Sequence, residues 1–150
     1  MRNTYTIDDV IIAVNSVLPE GAKTLTKSLL QSARADGVGP KGNLQGQAVE
    51  WTIYDALSAY HFVIMRANGI TRQKCKNHLA AISLKVKLNS IGNFAWLDIY
   101  KDKDGNQKEQ FVDEPGKDIR TMIPDAPVVL LFSINIVESI RVMREALANV

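Results

Sequence analysis

The stretch Val38-Gly39-Pro40-Lys41-Gly42-Asn43-Leu44-Gln45-Gly46-Gln47-Ala48-Val49-Glu50-Trp51 decides how the chain is read, because it interrupts two runs of helical patterning and belongs to neither. Its three glycines, one proline and one asparagine break up any helix. The flanks can pair as a small antiparallel ribbon, with Lys41 near the tip. The same composition also describes a plain flexible loop.

Upstream, Thr24 can cap a helix whose apolar side is Leu25, Leu29, Leu30 and Ala33. Asp36-Gly37 closes it, with Gly37 as a left-handed C-cap. An earlier helix opens at Thr6 with Asp9 in its first turn, and Ile7, Val10, Ile11, Val14 and Val17 recur at helical spacing. Leu18-Pro19-Glu20-Gly21 ends that helix. Downstream, Thr52 and Asp55 repeat the capping signal and open a long helix to Ala67. Its Ile53, Leu57, Tyr60, His61, Phe62 and Ile64 make it broadly apolar and central to a core. Asn68-Gly69 stops it, and Thr71 caps a further helix with Cys75, Leu79 and Ile82 on one side and Arg72, Lys74, Lys76 and His78 largely on others.

The character changes after Ser90-Ile91-Gly92-Asn93. Residues 94–100 alternate in strand fashion, residues 101–106 supply a polar turn, and residues 109–112 can return as the partner strand. Residues 113–121 are polar and irregular. Pro124 and Pro127 lead into an uncharged β-rich run over residues 128–133, expected as a central strand. Asn135 and Glu138 cap a last helix striped by Ile136, Ile140, Met143 and Leu147. No internal repeat or low-complexity segment is present.

Length and composition bound the function. At 150 residues with 46% hydrophobic and 23% charged content, the chain suits one domain or two small modules. The longest apolar run, residues 128–132, is far too short to span a bilayer, so no membrane partner is expected. Asp8 and Asp9 inside the first apolar stretch argue against a signal peptide. The single cysteine, Cys75, leaves no internal disulfide and fits a reducing compartment, with the cytoplasm as the expected location. Residues 1–90 hold 11 Lys+Arg against 6 Asp+Glu, and residues 91–150 hold 7 against 10. A basic front half and an acidic back half suit a nucleic-acid reader joined to a second module, although two solvated surfaces can differ this much by chance.

Catalytic chemistry finds little support. Two histidines and one cysteine are too few for a metal cluster with recognisable spacing, so no metal, cofactor or small-molecule ligand is expected. His61, inside an apolar helix, is expected as a hydrogen-bonded core residue. Cys75 lies three residues before His78, so a thiolate–imidazole pair is conceivable, but no acid is placed to orient it and buried inert thiols are commoner. Lys41-Gly42 lacks a phosphate-cradling fingerprint. Asp102-Lys103-Asp104-Gly105 is too short for a calcium loop and reads as a hairpin tip. No enzyme activity is expected.

DNA recognition asks for simpler parts: cations for phosphates, and an exposed polar helix for base edges. Lys27, Gln31 and Arg34 fall at spacings of four and three, sharing one face opposite the leucines. Gln31 could read adenine and Arg34 guanine. That face can equally be the solvated side of an amphipathic helix. The segment around Arg72, Lys74 and Lys76 is a second candidate for the reading helix, since Gly69-Ile70-Thr71 has the look of a helix-turn-helix elbow, but no wing follows it; in either case Arg72, Lys74 and Lys76 are expected to hold phosphates together with Lys41.

The order of helix, turn, helix, Gly-rich wing and a helix pair split by Ala67-Asn68-Gly69-Ile70-Thr71 resembles the MerR-like winged-helix domain over the first 80 to 90 residues. The resemblance implies that the second helix enters the major groove through Thr24, Thr26, Lys27, Gln31 and Arg34, with Lys41 contacting the backbone from the wing. The family's usual Arg-Tyr pairing in the wing and its long following helix are absent here. The expected fold class is therefore α+β. An N-terminal winged helix-turn-helix over residues 1–90 precedes a dimerisation module over residues 91–150, a small three-stranded antiparallel sheet with one C-terminal helix. The expected function is sequence-specific binding of double-stranded DNA by a homodimeric transcriptional regulator of phage or mobile-element type. The alternative is a non-enzymatic, homo-oligomeric assembly or interaction protein that does not bind DNA.

Overall fold

Every helix among the described residues begins where a short polar side chain captures an orphan backbone N–H. In the computed structural model, which describes residues 3–45, 48–87, 96–112 and 129–150, there are five such helices. Thr6 caps α1 (Ile7–Ser16) and Thr52 caps α3 (Ile53–Ala67). Both form capping boxes in which the acid three residues on, Asp9 or Asp55, returns a bond to the cap's own N–H. Thr26 caps α2 (Lys27–Ala35) by accepting from Leu29 N–H at 3.2 Å. The Thr71 hydroxyl accepts from Lys74 N–H at 3.4 Å at the start of α4 (Arg72–Lys87), and Asn135 Oδ1 accepts from Glu138 N–H at 2.9 Å at the start of α5 (Ile136–Ala148).

The start of α2 corrects the expectation that Thr24 caps it. Leu25, placed in the helix by its spacing, lies before the cap and is buried, as is Leu30 in the first turn. A buried residue just before the cap and another at the fourth helical position form a hydrophobic staple, which outweighs two further helical residues. The side chain of Asn15 fixes the same point: its amide donates to Leu25 C=O at 2.9 Å, and its oxygen accepts from Leu25 N–H at 2.7 Å. One side chain on α1 thus plays the part of a neighbouring strand for the residue that leads into α2. We expect Asn15→Ala to destabilise the fold by about 2 kcal/mol in urea titration, because both backbone groups lose their partner. A change under about 0.5 kcal/mol would mean that water replaces the amide at no cost.

The glycine turns behave as their sequence implies. After α2, Gly37 N–H bonds Arg34 C=O at 3.0 Å and Val38 N–H bonds Ala33 C=O at 2.8 Å, with Gly37 at φ +69°. After α3, Gly69 and Ile70 repeat both bonds to Arg66 and Met65. Val38 and Ile70, the residues after each glycine, are both buried.

The interrupting stretch forms a ribbon, not a plain loop: β1 (Asn43–Gln45) pairs antiparallel with β2 (Ala48–Glu50). Tyr5 and Trp51 extend the pairing beyond it, with backbone bonds of 2.8 and 3.0 Å. This cross-link brings both aromatic side chains into a core with Val10, Val14, Leu25, Leu30, Val63, Met143 and Leu147. Burial of each larger aliphatic side chain there contributes roughly 1.5–3 kcal/mol.

Two compact units emerge, Met1–Ser83 with Ile140–Val150, and Leu84–Ser139. The sequence-based boundary near residue 90 lies outside the described residues, and most of α5 falls in the first unit. The second unit contains a three-stranded antiparallel sheet in the order β4-β3-β5, formed by β3 (Trp96–Lys101), β4 (Gln107–Val112) and β5 (Val129–Asn135). The uncharged run expected at the centre is β5, which lies at an edge; β3 is the central strand. Four successive residues of β3, Leu97 to Tyr100, are buried, including Asp98, which accepts a hydrogen bond from the Ser133 hydroxyl on β5. The register between β3 and β5 slips between Ile99 and Tyr100, leaving Leu131 as an extra residue. Expectations for Phe94, the irregular 113–121 stretch, Pro124 and Pro127 lie outside the described residues. Among the described residues no helix is long and apolar enough to cross a membrane.

Candidate nucleic-acid interface

On α2 the apolar side is Leu30 and Ala33, both fully buried, with Leu29 half-buried beside them. Lys27 and Gln31 stand exposed opposite that side, and Arg34 is half-buried. The helix itself contains no acid. Lys27 Nζ lies 4.0 Å from Asp8 Oδ1, an exposed pair whose strength in salt is small. Thr24 is exposed, two residues before the cap. Thr26 uses its oxygen to accept from Leu29, which leaves the hydroxyl hydrogen able to donate to a phosphate oxygen.

On α4, Cys75, His78, Leu79 and Ile82 form the buried stripe, so His78 faces inward and not with the lysines as its spacing suggested. Lys74 and Lys76 are exposed. Arg72 differs from both. Its Nη1 donates to Asp36 Oδ2 and, at 3.0 Å, to the Ser32 hydroxyl, so the guanidinium is bound to the last turn of α2 and its C-cap. Lys76 reaches the same place, since a side-chain carbon added at Gly37 would sit 3.7 Å from Lys76 Nζ.

Lys41 is exposed, but it is not near the ribbon's tip. Gln45 pairs with Ala48 at the reversal, whereas Lys41 precedes β1 at the open end. Next to it, Gly42 adopts φ +61° and its N–H donates to Asp55 Oδ1 at 3.2 Å. The ribbon base is thereby tied to the capping box of α3. The sequence expectations thus divide. Arg72 and Lys76 converge on the end of α2, Lys27 and Gln31 share its outer side, and Lys41 belongs to the ribbon base. The holding roles of Ser32, Asp36 and Asn15 on α2 leave no local mark in the sequence, because their partners lie 10 to 40 residues away.

Among the described residues the other chemistry is quiet. Burial pushes the Cys75 thiol up to about 11, and its sulfur contacts Ile70 C=O at 3.8 Å, so no thiolate is available for a pair with His78. His61 is a core residue, yet neither ring nitrogen has a hydrogen-bond partner, which corrects the expectation of a satisfied imidazole. Asp102 accepts from Asp104 and Asn106 N–H, both at 2.9 Å, and pairs with Lys108 at 3.1 Å, closing the hairpin tip on itself. These bonds hold its carboxyl below the usual range. Among the described residues no three His, Cys, Asp or Glu side chains gather as a metal site. No family model matches the chain, and no curated protein matches it.

Proposed function

We propose that the chain is a sequence-specific, double-stranded DNA-binding transcriptional regulator acting as a homodimer. In this reading α2 is the recognition helix of a winged helix-turn-helix and the β1–β2 ribbon is its wing. The observation that carries it is the exposed, acid-free outer side of α2. Lys27 and Gln31 present a cation and a bidentate amide at adjacent turns there, with Arg34 beside them. Gln31 suits adenine and Arg34 suits guanine in the major groove, while Lys41, Lys74 and Lys76 suit phosphates.

A second reading, a homo-oligomeric assembly protein that does not bind DNA, is favoured by the exposed apolar side chains of β5. Val129 is 62% and Leu131 37% exposed on a strand at the sheet's edge that carries no charge. Edge strands of this composition associate readily. The same surface serves the homodimer of the first reading.

Selection from a pool of random duplex DNA, followed by salt titration, separates the two. The first reading expects an enriched motif, with an inverted repeat if the dimer is symmetric. Gln31→Ala and Arg34→Ala are expected to cost about 1–3 kcal/mol each at one base pair and relax preference there. Lys41→Ala, Lys74→Ala and Lys76→Ala should weaken all sequences alike, each lowering the salt slope by about 1. No retention at low salt would leave the assembly reading.

A further inference from the structure

We infer that Arg72 positions the outer face of α2 by gripping its C-terminal end, and does not itself contact DNA; this rests on the proposed DNA-binding reading. At nine residues α2 is shorter than a helix that persists alone in water, so its tilt and rotation depend on what holds it. Its apolar side supplies one line of contact through Leu30 and Ala33, which permits rolling about that line. Polar grips at the two ends remove this freedom. Asn15 of α1 holds Leu25 just before the helix, and Arg72 of α4 holds Ser32 and Asp36 at its end.

Arg72 is well placed to be the fixed member of its grip. It is the first residue of α4, two residues after buried Ile70 and three before buried Cys75. Ser32 and Asp36 are four apart, on one face of successive turns, so a single guanidinium nitrogen reaching both sets the rotation of α2. The bonds also use the charge. Arg72 offers its positive group to Asp36, so the acid at the C-terminal end of α2 is paired within the protein. A lysine ammonium at this position keeps the charge but lacks the planar fork.

The test compares Arg72→Ala, Arg72→Lys, Asp36→Asn and the double variant Arg72→Ala/Asp36→Asn on the duplex selected by the wild-type chain and on a scrambled duplex. Positioning predicts that each single variant loses about 2- to 5-fold in discrimination between the two duplexes, the range a partly exposed ion pair supplies. The double variant loses no more than either single one, and the salt slope of the wild type is kept throughout. Amide hydrogen exchange in α2 should rise by a similar factor in every variant.

The inference is overturned if Arg72→Ala weakens both duplexes equally and lowers the salt slope by about 1 while Arg72→Lys binds as wild type, the signature of a phosphate contact. It is overturned also if exchange in α2 is unchanged. A wild-type chain that retains no duplex at low salt fails the DNA-binding reading itself and removes the positioning role with it. Wild-type binding with a failed Arg72 series overturns the inference alone.

Discussion

Acidification from pH 7 to pH 5 is expected to remove about 2 kcal/mol of folding stability through His61 alone, and to pH 4 about 3 kcal/mol. The imidazole is completely buried in α3, where loss of hydration pushes its pKa from 6.5 down to about 3. The folded chain therefore keeps the ring neutral at pH values where the unfolded chain protonates it. Stability is fully present above the unfolded pKa of about 6.5, and it declines as pH falls through the window towards 3. Each pH unit inside that window costs about 1.4 kcal/mol, large against the total stability of a small domain. The Asp102 carboxyl, held low by its own hydrogen bonds, adds to acid lability only below the usual carboxylate range. His61→Met, similar in volume and free of donors, should flatten the urea-unfolding profile between pH 7 and 5 and raise stability at pH 7 by about 1–2 kcal/mol, since two unpartnered ring nitrogens disappear. A variant whose stability falls with acid as steeply as the wild type's would place the titrating group elsewhere.

Why the sequence reveals the neutral location of this histidine but not its missing partners is a matter of range. Burial of His61 follows from the apolar residues around it on α3, within one or two turns. Hydrogen bonding depends on what other elements bring to the ring, and no local spacing encodes that. The same division runs through the fold. Capping boxes at Thr6–Asp9 and Thr52–Asp55, and the turns at Gly37 and Gly69, are written within five residues and are legible. Leu25 fits a helical stripe, which points to a cap at Thr24; its actual place before the cap is fixed by Asn15, ten residues upstream. Composition points to the uncharged run in β5 as the sheet's centre, yet β3, with a buried aspartate, takes that place and pairs on both sides. At the candidate interface, exposure of Lys27 and Gln31 is a local consequence of helical period. The capture of Arg72 by residues 36 and 40 positions away is not.

Asp55 is the position at which a single carboxylate joins two local structures, and Asp55→Ala is expected to cost about 3 kcal/mol. Its Oδ2 accepts from Thr52 N–H at 2.9 Å and from the Thr52 hydroxyl at 2.8 Å, while Oδ1 accepts from Gly42 N–H at 3.2 Å. Loss of the capping box contributes about 1 kcal/mol, loss of the negative charge at the start of α3 up to about 1, and the unpaired Gly42 N–H about 1 more. Thr52→Val removes the cap hydroxyl but leaves the bond to Gly42, so it should cost only about 1 kcal/mol. The difference between the two variants measures the tie between helix and ribbon. Gly42→Ala approaches the same tie from the other side. The added carbon would lie 2.4 Å from Val49 Cγ1 and 3.2 Å from Glu50 O, at a φ of +61° that disfavours any side chain. The ribbon must then open or shift at its base, and Lys41 shifts with it. Equal costs for Asp55→Ala and Thr52→Val would show that Gly42 holds its place without the carboxylate. A ribbon anchored by Asp55 instead predicts that Asp55→Ala and Gly42→Ala both raise amide exchange at Val49 and Glu50, whereas Thr52→Val does so far less.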